Sequence, residues 1–463
     1  MIEEIKEFQC EGRWSFKAFP DKTFIGVFKF LPNERYVLKI LGSDEEIKSL
    51  HRLPQDIEVI NGETNMGNVA LFNCHKWMSG GSSLQGYSFS TRDVFVGGEV
   101  IESKEAKFNT FAIGVSNVSE FFDVSSIGHR FPFFEEQWNY KNPEDFSVNV
   151  TDKMNIRLSH TVSPETVNKH ENKFILTEKP YFIFTSTEGK TVEEYFLCLN
   201  HLRRFVSLFT MRPIYLQSFT GWNDDVVRNV KIYLQRYRLY RTSEIEEPEN
   251  EILERPLFKY SDIKDDFQQL LKQWFLLNEN YGPVFDRFFG IVYNDKNYLE
   301  DIYMTLFNAL EAFQYLKYPD EEESLPEAEH EKRKGEVLRS VPEEYRDWVQ
   351  FKLGNNRINS ETRIRNAFKR FASYFTNIEA PFLYDGAFIK SMVDTRNYLT
   401  HSNPAKKKLA ASGVEMMDFY SKIRIVLHFA LLTELGLESK RVKEAFMGES
   451  YYRYGLLKEM GEK

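Results

Sequence analysis

The chain has 463 residues, enough for two or three domains with substantial cores. Its 42% hydrophobic and 15% aromatic content, with 41 Phe and 24 Tyr, excludes a disordered protein and predicts aromatic-rich packing. A net charge of −9 excludes a global nucleic-acid footprint, so any surface of that kind has to be local.

The opening MIEEIKEFQCEGRW is acidic and polar, which argues against a signal peptide. Cys10, Cys74 and Cys198 are widely spaced and form neither a CxxC pair nor a disulfide framework, as expected for a reducing cytoplasm. Runs rich in aromatic and β-branched residues follow at 23–31, 35–41, 56–60, 68–74, 87–96 and 108–116, then at 147–152, 153–160, 173–178 and 181–186. Turn residues such as Pro32-Asn33, Asn61-Gly62 and Gly97-Gly98 punctuate them. One helix interrupts the strands, Thr191 to Thr210: Thr191 and Glu194 have capping-box spacing, and Phe196, Leu199, Leu202 and Phe205 or Val206 form its apolar stripe. Two more strands are expected at 213–219 and 230–237. Residues 1–242 therefore read as a β-rich region, sandwich or barrel-like.

The acidic run Glu244, Glu246, Glu247, Glu249 and Glu251, broken by Pro248, marks a linker over 243–260. From 261 to 455 the periodicity is helical, which makes the whole an α+β multidomain protein. Helices are expected at 262–277, 284–292, 297–316 and 328–338, at 343–353 behind Pro342, and at 362–375 capped by Ser360. The longest apolar run, Ile425 to Leu432, is too short for a membrane span and reads as a core helix holding His428.

The β-rich part is chemically poor. GGSSLQG at 80–86 lacks the ending of a phosphate loop, and Cys74-His75 is an isolated pair. His330-Glu331 starts a zincin pattern that Lys334 breaks, and no other metal or cofactor site is legible. The informative stretch is FIKSMVDTRNYLTHSNP, 388–404. Phe388, Ile389, Met392, Val393 and Leu399 define one buried helix face, and Arg396 falls within it, where a charge needs a partner or a purpose. Asn397 and His401 share a flank, and Pro404 stops the helix so that His401 lies in its last turn. An arginine fork suits phosphate oxygens, and an imidazole can take and return a proton near neutral pH. Together they suit attack of an RNA 2′-hydroxyl on the adjacent phosphorus. Residues five apart on a helix point roughly 140° away from each other. The pair converges only if the helix tightens or ends near Thr400, or if a second subunit supplies the other half. The competing reading makes Arg396 a structural ion-pair member and His401 a helix-end cap. Residues 357–408 hold ten Lys or Arg against four acids, and Arg363, Arg365, Lys369 and Arg370 are candidates for contacts to an RNA backbone.

R-N-Y-L-T-H at 396–401 resembles the Arg–polar–spacer–His signature of HEPN ribonucleases. The surrounding part, about 265–450, is similar to the ApeA-type HEPN domain of bacterial anti-phage defence proteins. LFNALEAFQYL at 306–316 is similar to that family's early long helix, which often carries an acidic residue where Glu311 stands. The resemblance implies a metal-independent endoribonuclease acting in abortive defence, on an RNA substrate that includes tRNA among the candidates. It further implies a homodimer or higher oligomer, Arg396, His401 and Asn397 as site residues, and Glu311 as a supporting acid. A β-rich region before the HEPN domain also resembles that family, and a gating role with a phage-derived activator is expected for it. The alternative is a non-catalytic RNA- or partner-binding regulator in which Arg396 is structural.

Overall fold

The computed structural model describes residues 7–450 and 452, apart from 32–35, 82–83, 92, 98–102, 104, 117, 123–126, 131–136, 141–145, 152, 169–172, 224–229, 235–254, 295–296, 376–384 and 403. Two compact units result, Met1–Gln268 and Gln269–Lys463. The acidic run 244–251 lies outside the described residues.

The first unit opens with β1 (Phe8–Phe16), β2 (Phe19–Phe30), β3 (Tyr36–Leu41), the short helix α1 (Asp44–His51), β4 (Asp56–Thr64), β5 (Gly67–Gly81) and β6 (Leu84–Thr91). Antiparallel pairing runs β5-β4-β1-β2-β3-β6, and β6 pairs back onto β5, so the six strands close into a barrel. Closure leaves these strands no free edge, and alternation turns Cys10, Trp14, Phe16, Phe24, Phe28, Phe30, Leu38, Ile40 and Phe89 into one aromatic core. Trp14 Nε1 donates to the Gly26 carbonyl at 3.1 Å. Its ring lies against Gly62, where a Cβ would come within 2.5 Å of it, so a side chain has no room there.

β5 also pairs with β7 (Asp93–Gly97) and leads into an open sheet. The expected strand at 87–96 is thus two strands that pair with different stretches of β5, and Thr91 pins the corner through its Oγ1–H to the Phe72 carbonyl, 2.6 Å. After β8 (Lys107–Val115) come α2 (Ser119–Phe122) and a separate hairpin, β9 (Ile127–Arg130) and β10 (Gln137–Tyr140). Then follow β11 (Phe146–Thr151), β12 (Met154–Asn168), β13 (Lys173–Thr191), α3 (Val192–Thr210), β14 (Leu216–Trp222), β15 (Val230–Leu234) and α4 (Tyr260–Ile263). The open sheet runs β7-β15-β14-β8-β13-β12-β11. α3 has the expected capping box, with the Thr191 N–H and hydroxyl donating to Glu194. Its stripe is buried, and Tyr195 fixes it to β8 by a hydrogen bond to the Phe108 carbonyl, 2.7 Å, and a ring stack on Phe111.

The second unit is helical. α5 (Phe267–Val292) consists of two helical stretches that meet at Tyr281, whose φ of −116° and ψ of 19° are not helical, two residues before Pro283, as the two helices expected from sequence require. It is followed by α6 (Leu299–Lys317), α7 (Glu327–Ser340), α8 (Glu343–Lys352), α9 (Ser360–Tyr374), α10 (Gly386–His401), α11 (Val414–Leu435) and α12 (Ser439–Gly448). α6, α9, α10 and α11 pack together as a bundle. Asn359, not Ser360, caps α9: its side chain accepts the Thr362 N–H at 2.8 Å. His428 is fully buried in α11 and bonded to the Tyr452 hydroxyl at 2.6 Å, as a core histidine. α7 and α8 bury no residue, and their excursion is closed at its neck by Ser324 N–H to the Asn356 carbonyl and Ile358 N–H to the Glu322 carbonyl. No described helix is long and apolar enough to cross a membrane.

Residues 255–268 fold with the β-rich unit rather than serving as linker. Leu257 N–H bonds the Phe209 carbonyl, Phe258 packs edge-on against Phe209, and Tyr260 and Phe267 both pack on Phe122 and Phe146. A fragment beginning at Arg255 would expose all three rings. We expect it to aggregate, whereas one beginning at Gln269 stays soluble and helical by circular dichroism.

Candidate active site

α10 forms because its apolar residues recur at helical spacing, and it starts where Asp385 accepts the Ala387 N–H at 3.0 Å. Ile389, Met392 and Val393 are buried, as are Asp394 and Thr395. These two polar groups are satisfied, and they clamp the helix. Asp394 pairs with Lys406, and Thr395 Oγ1 accepts the Ala411 N–H at 2.8 Å while donating to the Ser391 carbonyl. Across the interface, Tyr303, Phe307 and Glu311 repeat every fourth residue on α6 and line one face. The Tyr303 hydroxyl donates to the Met392 carbonyl at 2.6 Å, and burial raises its pKa.

Arg396 meets that face. Its Nη2 stands 3.5 Å from Glu311 Oε2, its Cζ lies 5.8 Å from the Phe307 ring centroid, and its Nη1 donates to Asn397 Oδ1 at 3.2 Å. Nε is buried without a hydrogen-bond partner among the described residues. Glu311 is shared: Arg363 Nη1 reaches its other oxygen at 3.3 Å. Arg363 is also held by Glu322, Nε to Oε1 at 2.9 Å with Nη2 on Oε2, and this carboxylate raises its pKa further. Two guanidiniums and two carboxylates thus form one row, Arg396–Glu311–Arg363–Glu322, with side chains only 9–23% exposed.

The structure brings Arg396, Asn397 and Glu311 together. It does not bring in His401, which is exposed in the last helical turn. The helix neither tightens nor stops at Thr400: Ser402, in left-handed conformation, ends it, and its N–H bonds the Tyr398 carbonyl at 2.7 Å. Arg396 and His401 therefore diverge by roughly 140° around the axis. Among the candidate backbone contacts, Arg363 lies in the row, Arg365 pairs with Glu361, and Arg370 pairs with Glu321 while lying 3.5 Å over the Tyr318 ring. Lys369 is exposed. Sequence reading missed Glu322, Tyr303 and the Asp394–Lys406 clamp. Only Asp394 carried a local signal, a carboxylate next to Val393 on the buried side.

Cys74 is no nucleophile. It is buried, and burial pushes its thiol up to about 12, so it stays protonated at neutral pH. His75 is on the opposite strand face, bonded to Asp56 at 2.8 Å. No group of three metal-ligating side chains occurs among the described residues.

A family model described as ApeA N-terminal domain 1 matches residues 9–274, more than half of the chain. The chain belongs to the ApeA family. A second model, Apea-like HEPN, matches residues 304–441 and so spans Glu311, Arg396 and His401. The ApeA assignment places the chain among anti-phage HEPN proteins; HEPN domains are generally ribonucleases and typically dimerise and bind RNA. No curated protein and no solved structure matches the chain.

Glu311 is the common acceptor of the row. In Glu311→Gln two guanidiniums lose their shared charge, and we expect about 1–3 kcal/mol of destabilisation in urea unfolding. Replacing exposed Glu415 by Gln should change stability by less than about 0.5 kcal/mol.

Proposed function

We propose that this ApeA-family protein is an endoribonuclease whose helical unit cleaves RNA through Arg396 and His401. The observation that supports it is the incomplete bonding of Arg396: its 3.5 Å contact to Glu311 is long and its side chain is 23% exposed, which leaves an Nη donor for a phosphoryl oxygen. His401, exposed on the same helix, takes the proton from the 2′-hydroxyl. The 2′-oxygen bonds to phosphorus, the bond to the 5′-oxygen breaks, and that oxygen leaves protonated. The products are a 2′,3′-cyclic phosphate and a 5′-hydroxyl. Asn397 orients the guanidinium through its amide oxygen. The ion pair to Glu311 also favours a second reading, a binding protein with structural Arg396, and the same experiments separate the two.

Purified protein incubated with total RNA in EDTA is expected to cleave it with those termini; 5′-phosphate ends would exclude the mechanism. His401→Ala should lose roughly 10²–10⁴-fold in rate. Its melting temperature should stay unchanged, because an exposed side chain carries little packing. Arg396→Lys keeps the charge, loses the fork, and should lose rate as well.

Because the two residues diverge on a straight helix, the reading places the cleft between two α10 helices of a homodimer. Mixing Arg396→Lys and His401→Ala chains should restore part of the activity, since some heterodimer clefts then hold one intact pair. Full activity in a strictly monomeric protein would defeat the composite cleft. The β-rich unit is assigned the gate, with a phage-derived product as candidate activator. Equal toxicity of the fragment from Gln269 and the full chain in cells would remove it from that role.

A further inference from the structure

The barrel carries a site that the nuclease reading does not use. A cavity of about 410 Å³ lies where α1 meets β5 and β6, within the size range of small-ligand pockets. Three of its lining residues come from one helix turn, Lys48, His51 and Arg52, and all are exposed. Ile47, Met78 and Tyr87 supply its apolar wall. The described lining residues include no carboxylate.

Cations on a helix surface are ordinary, and the C-terminal end of a helix repels anions. Lys76 removes that objection here. Its ammonium reaches across from β5 to the carbonyls of Leu50 at 3.1 Å, His51 at 3.2 Å and Leu53, so the free oxygens at the end of α1 are already neutralised. The same ammonium lies 5.2 Å from the Tyr87 ring centroid, so the group that offsets the helix end stands beside the cavity wall. The Tyr87 hydroxyl bonds His51 Nδ1 at 2.7 Å and holds that ring in place. Lys48 and Arg52 have no ion-pair partner among the described residues.

We propose that this cavity binds a small phosphate ester bearing a flat ring, of mononucleotide size, with Lys48 and Arg52 on the phosphate and Tyr87, Ile47 and Met78 against the ring. At about 410 Å³ the cavity has room for one nucleotide, whereas a polymer requires a groove that spans several. The inference stands independently of RNA cleavage, because its readout is binding.

The full chain is titrated calorimetrically with AMP, GMP, CMP and UMP and their triphosphates, alongside adenosine, inorganic phosphate and a single-stranded hexanucleotide lacking terminal phosphates. At least one nucleotide should bind, adenosine should not at the same concentration, and binding should weaken with salt. Lys48→Ala/Arg52→Ala should bind at least about tenfold more weakly while keeping the unliganded melting temperature, since both side chains are exposed. No binding by any nucleotide overturns the proposal, as does undiminished binding by the double variant. Binding of inorganic phosphate as tight as that of every nucleotide overturns the ring contact, and binding of the hexanucleotide alone overturns the small-molecule ligand.

Discussion

The carboxylate of Glu311 decides what the two arginines facing it can do. Arg363 is satisfied: a paired bond to Glu322 and a second contact to Glu311 occupy its fork. Arg396 has the far edge of the same carboxylate, at 3.5 Å, and the neutral amide oxygen of Asn397, with Phe307 below and Nε unmet. A buried cation without any counterion would be too costly to hold, and one fully paired would have nothing left for a substrate. Sharing one acid between two guanidiniums gives the intermediate state. Glu322 restores neutrality to the row, which keeps four charges tolerable in a partly buried place.

The clamp on α10 makes this orientation hard to change. Asp394 with Lys406 and Thr395 with Ala411 tie down the side of the helix next to the bundle, and Tyr303 grips its Met392 carbonyl. Rotation of the helix about its axis would turn Arg396 and His401 together and leave the angle between them unchanged, and it would break three polar contacts as well. The divergence is thus built into the helix itself, and the clamp fixes which of the two residues faces α6.

How much of this was legible from sequence follows the range of each interaction. The α3 capping box and the core setting of His428 are local patterns that stand in the structure, and the apolar face of α10 stands at Ile389, Met392 and Val393, while Phe388 and Leu399 are half-buried. β1 was hidden because its outward residues, Gln9, Glu11 and Arg13, merge with the charged segment before it. Cys10, Trp14 and Phe16 nevertheless alternate inward. α1 was overlooked despite Ser43 and Glu46 at capping-box spacing. The closing of the barrel rests on β5 pairing with three neighbours, and register between distant strands has no local signature. Glu322, 41 residues from Arg363, is unreadable for the same reason.

Range also alters the electrostatics of the helical unit. The excess of ten cations over four acids in 357–408 counts only neighbours in sequence. Glu311, Glu321 and Glu322 lie outside that window and hold Arg363 and Arg370, while Glu361 and Asp394 inside it hold Arg365 and Lys406. The positive field that remains in solvent is smaller and differently placed. Lys390, seven residues before Asn397 and eleven before His401, shares their flank of α10, and Lys407 and Lys408 follow directly after its end. All three are exposed. Lys390 thus places exposed positive charge on the flank that carries His401, whereas the cations of α9 are mostly paired. The exposed cation of α10 and His401 share one face of the helix, and Arg396 lies on the other, beside Glu311.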